Sequence, residues 1–282
     1  MAWFKREEGE PIKGLSSLRR FIPHLMPGRN QAAVYYDQKI EVSRLLAWLD
    51  AHNEGKPDDQ KVHFFHVVLC AFVRTLAARP RLNRFISGRE TYQRKDIALS
   101  FAVKRAFHDD ADLATVKIVF EPDDTLDEVA RKVRAAVDSG RSEARSTSQK
   151  ELDVVAALPK PLLRAVMGLQ RCLDGLNLLP SVMVREDPLY ASVFLANLGS
   201  IGLEAPFHHL YEYGTVPLFA VIGRISKEPI VDADGALAVG QVVHLRYTLD
   251  ERIADGFYCA RSLELLRELL EHPERLAHLA SP

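Results

Sequence analysis

Apolar positions along the chain follow two periods. From Val242 to Leu249, Val243, Leu245, Tyr247 and Leu249 alternate with His244, Arg246 and Thr248, which predicts a strand with one buried face. Ala32–Val42 has a similar strand composition, with Val34, Tyr35, Tyr36, Ile40 and Val42. Shorter strands are predicted at Thr91–Gln93, Ile97–Val103, Thr115–Phe120, Ser192–Asn197 and Pro217–Ile225. Helical spacing predicts a basic helix over Leu15–Met26, carrying Arg19 and Arg20 and stopped by Pro27-Gly28. Ser43–His52 is an amphipathic helix with Ser43 as its expected N-cap. Val62–Ala78 is apolar nearly all round, as a helix buried on every side would be. Thr125-Leu126-Asp127-Glu128 is a capping box that starts a helix reaching about Val137. Further helices are expected at Glu151–Leu158, Pro161–Leu176 and Phe257–Leu270. Arg81–Gly88 reads as a short connection, Asp109–Asp112 as a turn and Ser139–Ser148 as a polar loop.

Strands and helices interleave without a regular βαβ rhythm, a Gly-rich nucleotide loop or an internal repeat. The class expected is α/β. The chain has 282 residues, with 37 Lys and Arg against 38 Asp and Glu. A net charge of -1 argues against nucleic acid as a partner, because a phosphate-binding face needs a basic excess. Cys70, Cys172 and Cys259 form no C-x-x-C pair, so a reducing cytoplasm is the expected compartment. Met1–Lys13 is charged and unlike a signal peptide. The most apolar run, Phe64–Val73, is half the roughly 20 residues a membrane span needs, so no transmembrane segment is expected. Pro161–Met183 mixes Leu, Val and Met with few charges; core burial is expected there, with contact at a surface or membrane edge as the alternative. No metal site is expected. His63 and His66 lack a third ligand, and His108 with Asp109, Asp110 and Asp112 reads as a solvated acidic turn.

The C-terminal third holds the most specific pattern. Leu249-Asp250-Glu251-Arg252-Ile253-Ala254-Asp255-Gly256 joins a strand to a helix, and Val193-Phe194-Leu195-Ala196-Asn197-Leu198-Gly199 stands about fifty residues earlier. Between them lies Thr215–Gly223. This order resembles the catalytic domain of the 2-oxo acid dehydrogenase dihydrolipoamide acyltransferases and, more distantly, chloramphenicol acetyltransferase. That family has a strand ending in S-N-L-G, a strand ending in Gly and a strand closing on D-H-R-x-x-D-G. Asp250, Arg252, Asp255 and Gly256 match four of the five specified positions of the last motif. The opening basic helix, Ile40-Glu41-Val42 and Arg79-Pro80-Arg81-Leu82-Asn83 are similar to the family's first segments. Its G-L-x-x-P-V segment has no counterpart between Lys104 and Leu189.

The resemblance implies a chloramphenicol acetyltransferase-like fold, with a large mixed sheet flanked by helices and assembled as a homotrimer. It implies one domain over residues 15–282, with an arm at 1–14, a helical insert near 151–183, and no lipoyl domain in this chain. It implies CoA or acyl-CoA as substrate and a small thiol or hydroxyl acceptor, meeting in a channel between subunits. In the family the motif His is the base, the residue before Asn-Leu-Gly donates to the oxyanion, and the motif Asp is structural and pairs with an Arg near the N-terminus. Here Glu251 stands at the His position and Ala196 at the hydroxyl position. A Glu accepts a thiol proton about two pKa units less readily than a His, roughly 3 kcal/mol, unless burial raises it. Loss of one oxyanion donor typically costs about 10²–10³ in rate. Glu251 is therefore the candidate base, with His208 and His209 as alternative bases. Asp255 is expected to cap the last helix or to pair with Arg19 or Arg20. Asn197 and Ser200 are expected at the substrate, and Arg19, Arg20, Asp250, Arg252 and Gly256 as structural motif residues. The competing function is a catalytically degenerate trimeric binding or scaffold protein.

Overall fold

The structure is a computed structural model and describes residues 6–104, 113–142, 157–231 and 234–277. Its centre is a six-stranded mixed sheet. The strands are β2 (Ala33–Glu41), β5 (Ile97–Lys104), β6 (Leu113–Phe120), β7 (Val193–Asn197), β8 (Leu218–Val231) and β9 (Leu237–Asp250), in the order β2-β9-β8-β7-β5-β6. β7 runs parallel to both β5 and β8, and the other pairs are antiparallel. A smaller antiparallel sheet holds β1 (Gly9–Pro11), β4 (Glu90–Arg94) and β3 (Arg84–Ser87). The α/β class with a large mixed sheet flanked by helices is the one expected from the sequence.

Alternation along the strands sorts side chains onto two faces. Leu218, Ala220, Ile222, Val243, Leu245 and Tyr247 face a large core built with α2 (Ser43–Asn53), α3 (Phe64–Ala78), α4 (Leu126–Ser142) and the last helix, α7 (Gly256–Glu271). Phe194, Phe219 and Val221 face the opposite way, under Ala205, Leu210 and Val216 of the β7–β8 connection. α3 is buried from His66 to Leu76, as its sequence predicts. The stretch Asp58–Ala78 is long and apolar enough to cross a membrane by length and composition, and 67% of its apolar window is buried in this fold.

Several expectations change. The first helical residue of α2 is Ser43 itself, preceded by Val42 as N-cap; the Ser43 hydroxyl accepts from the Gln241 amide instead. Arg81–Gly88 is not a plain connection, because it contains β3, which turns into β4 through Gly88 and Arg89, both at positive φ. An arginine in the left-handed region hides the usual hairpin signal. α4 runs on to Ser142, past the expected end at Val137 and into the segment read as a loop. The Thr125–Glu128 capping box forms at the start of α4, with Thr125 N donating to Glu128 Oε2 at 2.7 Å. The Asp109–Asp112 turn and residues 151–156 of the expected Glu151–Leu158 helix lie outside the described residues. α1 (Ser17–Leu25) sits where a basic helix was expected, while α5 (Lys160–Gly175) and α6 (Ser181–Glu186) follow in the 151–183 region. Gly9–Pro11, within the first fourteen residues, pairs with β4.

His66 couples stability to pH. It is buried at the start of α3, where its Nδ1 accepts from the His63 amide at 3.1 Å. Burial, assisted by His63 and Arg134, pushes its pKa down to about 4. The folded value lies below the unfolded one, so the neutral ring stabilises the fold above pH ~6.5, and this is lost as pH falls toward 4. The loss is about 2 kcal/mol by pH 5. His66→Gln keeps an acceptor for the His63 amide and removes the titration. Urea denaturation at pH 7 and pH 5 should show a smaller acid-induced loss in the variant than in the parent.

Candidate active site

The site is built at the end of β9. Asp250 and Arg252 are buried and face each other, with Arg252 Nη2 2.6 Å from Asp250 Oδ2 and Nε 2.7 Å from Oδ1. The Arg252 amide also donates to Asp250 Oδ1. The remaining guanidinium nitrogen reaches back to the carbonyls of Met26 (2.8 Å) and Pro27 (3.1 Å). The turn after α1 and the end of β9 are thus tied through one arginine. Asp255 is the N-cap of α7, its Oδ1 accepting from the Tyr258 amide at 2.8 Å. That hydrogen bond, assisted by Arg19 and Arg81, lowers its pKa. Of the two roles expected for Asp255, capping is the one formed. Arg19 donates instead to the Glu251 carbonyl at 3.0 Å, and Arg20 makes no side-chain hydrogen bond or ion pair among the described residues.

Between these anchors, the Glu251 amide donates to the Ala32 carbonyl at 2.9 Å and its side chain is exposed. Tyr36 and Cys259 lie close enough to feel its charge. Burial pushes the Cys259 thiol up to about 11 and raises Tyr36 as well. A Cβ on Gly256 would come within 4.0 Å of the Tyr36 hydroxyl, so the start of α7 passes close to that phenol. Tyr36 was legible only as a strand residue. Its position beside the motif follows from the β2–β9 register, which sets Tyr36 opposite Tyr247.

The second part of the site is the end of β7. Ala196 and Asn197 pair with Val221 and Ile222 of β8, and the chain then turns through Gly199–Ile201. A Cβ on Gly199 would stand 2.4 Å from the Gly223 carbonyl oxygen, and one on Gly223 would stand 2.8 Å from the Ala205 amide nitrogen. Both glycines are required by backbone approach. Asn197 Oδ1 accepts from the Ser200 amide at 3.3 Å, and the Ser200 hydroxyl donates to the Asn197 carbonyl at 2.7 Å. Ala196 packs on the face that carries Phe194 and Phe219.

His208 belongs to this face too. Its ring stacks on Phe219 with centroids 3.9 Å apart, and Thr248 Oγ1 donates to its carbonyl. Nδ1 lies 2.7 Å from the His209 carbonyl, which only accepts, so Nδ1 carries a proton and Nε2 holds the lone pair of the neutral ring. Burial lowers the pKa, partly offset by that hydrogen bond. His209 is exposed and stacks on His208. The fold brings His208 and Ala196 to one face of the sheet; no hydrogen bond or ion pair joins either histidine to Glu251. Among the described residues no group of three or more His, Cys, Asp or Glu is placed to hold a metal ion. His108 and its neighbouring aspartates lie outside the described residues.

The family profile described as 2-oxoacid dehydrogenases acyltransferase (catalytic domain) matches residues 9–151 and 186–278. The chain belongs to this family. A curated relative, the lipoamide acyltransferase component of the branched-chain alpha-keto acid dehydrogenase complex of Bacillus subtilis (strain 168), is 22% identical over 236 residues. The match takes in 83% of this chain and 45% of the relative, so the chain spans under half of that protein's length. A probable dihydrolipoamide acetyltransferase from Listeria monocytogenes 4b F2365 superposes with a TM-score of 0.63 at 16% identity, covering 97% of this chain and 98% of that one. A dihydrolipoamide acetyltransferase from Azotobacter vinelandii gives 0.62 at 18%, covering 95% and 94%. Chloramphenicol acetyltransferase gives 0.50 at 12%, covering 93% and 98%. The fold is the chloramphenicol acetyltransferase-like fold of these acyltransferase cores.

The buried Asp250–Arg252 pair predicts a large stability effect. Asp250→Asn leaves a buried guanidinium without its counter-charge and should cost about 3–5 kcal/mol in chemical denaturation. Adding Arg252→Met should recover part of that loss.

Proposed function

We propose that this domain is a CoA-dependent acyltransferase working as a homotrimer, with Glu251 as its base. It moves an acyl group between a thioester and a small thiol or hydroxyl acceptor. The observation that carries this reading is the frame around Glu251. Asp250, Arg252, Asp255 and Gly256 keep the family's strand-to-helix turn, while Arg19 and Ala32 hold the Glu251 backbone from both sides. The side chain is left outward, toward the space a neighbouring subunit would close.

In that channel the carboxylate takes the thiol proton of the acceptor. The thiolate sulfur attacks the thioester carbonyl, and the tetrahedral adduct collapses with cleavage of the carbon–sulfur bond to CoA. The departing thiolate recovers the proton from Glu251. A carboxylate in water lies about four pKa units below a thiol, and enclosure between subunits narrows that gap. Ala196 offers no hydroxyl, and the Ser200 hydroxyl is spent on Asn197 O, so oxyanion stabilisation falls to backbone amides near the end of β7. A second reading moves the base to His208, favoured by its unprotonated Nε2. We place the protein in the cytoplasm, where thiols stay reduced.

Glu251→Gln should abolish thioester turnover with the melting temperature unchanged, while His208→Gln should leave turnover nearly intact; the reverse pattern assigns the base to His208. Glu251→His with Ala196→Ser should raise acetyl transfer. Absence of CoA binding by calorimetry, together with no acyl release from a panel of acyl-CoAs, would establish the degenerate scaffold instead. A monomer in sedimentation velocity would overturn the trimeric channel.

A further inference from the structure

We infer that the cavity beside α5 is a binding site for a small phosphate compound, a hydroxylated phosphate monoester or the free ion. This rests on the cavity itself and not on the acyltransferase reading. The core burial expected for Pro161–Met183 does not occur, since α5 has no buried residue. Its C-terminal turns instead line a cavity of about 230 Å³ with Gln170, Arg171 and Asp174. The facing walls carry Arg89 of the β3–β4 turn, Glu212 of the β7–β8 connection, and Arg29 and Arg252. The turn and the helix end meet closely, because a Cβ on Gly88 would collide with the Gly175 carbonyl. The volume lies below the roughly 300–1,000 Å³ of pockets for drug-sized ligands, so the guest is small. α5 falls within residues 152–185, between the two segments matched by the family profile, so one wall of this cavity is outside what that profile describes.

Charge selects the guest. Four arginines and two carboxylates line the cavity. Arg252 is matched by Asp250, and Asp174 by Arg6 at 2.8 Å. Glu212 is the acid that remains, and its oxygens already accept from the amides of Arg29 and Asn30 and from Asn30 Nδ2. The Arg29 guanidinium donates to backbone carbonyls alone. Arg89 and Arg171 make no hydrogen bond or ion pair among the described residues. With Arg29 set against Glu212, two guanidinium groups on different elements stay uncompensated, and a compact dianion matches them. A phosphate monoester carries nearly two charges at neutral pH on three acceptor oxygens, enough for both arginines and a further donor. Tyr190 supplies that donor: it lines the cavity at 1% exposure, and its hydroxyl has no partner. Gln170 Oε1 is also out of solvent without a partner and would accept from a hydroxyl on the same guest. Buried polar atoms left unpaired are costly, and two of them lie in residues lining this one cavity.

The test is calorimetric titration of the whole chain, in phosphate-free buffer at fixed ionic strength, with glycerol 3-phosphate, inorganic phosphate and succinate. Glycerol 3-phosphate should saturate one site and raise the melting temperature. Tighter binding of the ester than of inorganic phosphate assigns the site to the ester, and the reverse assigns it to the free ion. Arg89→Gln with Arg171→Gln should weaken binding at least tenfold, as loss of two charge-assisted contacts predicts. Arg164→Gln, on the same helix but outside the cavity, should leave the affinity unchanged. All three arginines are exposed, so the melting temperature without ligand should hold in each variant. Absence of saturable binding with either phosphate overturns the inference. So does tighter binding of succinate, or an equal loss in Arg164→Gln, which would reduce the effect to the general charge of the surface.

Discussion

A carboxylate and a guanidinium two residues apart, both out of water, determine how the last strand of the sheet ends. Burying Asp250 or Arg252 alone would cost several kcal/mol. Together they make two close hydrogen bonds, and the spare Arg252 nitrogen is satisfied by the carbonyls of Met26 and Pro27. Those carbonyls follow α1, more than two hundred residues earlier in the chain. The pair therefore fixes where the N-terminal turn lies against the sheet. It also fixes the course of the backbone into α7, whose first free amides Asp255 then caps.

Arg29 extends the same logic. It is buried, and its guanidinium donates to the carbonyls of Tyr211, Glu212, Ile86 and Gly214, while its amide donates to Glu212. Burial lowers its pKa, with Asp250 and Glu212 opposing. Arg29 and Arg252 thus both gather loop carbonyls that the sheet leaves unpaired, which is how irregular chain survives inside a core. The loop carrying His208 ends in this network, so the position of that ring depends on contacts made by the chain's first thirty residues.

Much of this frame was legible in the sequence. The alternation from Val243 to Leu249 marks the buried face of β9, and the all-round apolarity of Phe64–Ala78 marks the core helix. The motif residues Asp250, Arg252, Asp255 and Gly256 locate the strand-to-helix turn. What escaped depends on partners distant in sequence. β1 is three residues long and exists through its pairing with β4. Arg29 reads as one arginine among many until its carbonyl acceptors are known. Tyr36 joins the site through strand register, and the neutral tautomer of His208 follows from a backbone carbonyl that no local pattern indicates.

The motif separates into two kinds of residue. Asp250, Arg252, Asp255 and the close-packed Gly199 are satisfied inside one chain: by a buried ion pair, by capped amides and by backbone contact. Changing any of them damages the fold whatever the domain does. Glu251 and Ala196 carry no such obligation, because the Glu251 side chain is exposed and Ala196 sits in a strand that holds its place by backbone pairing. Folding therefore constrains the frame tightly and the two chemical positions weakly. The fold itself leaves the Glu251 and Ala196 positions free to vary without loss of architecture. On the trimeric reading proposed above, the space beside Glu251 is shaped by the neighbouring subunit as much as by the chain that carries it.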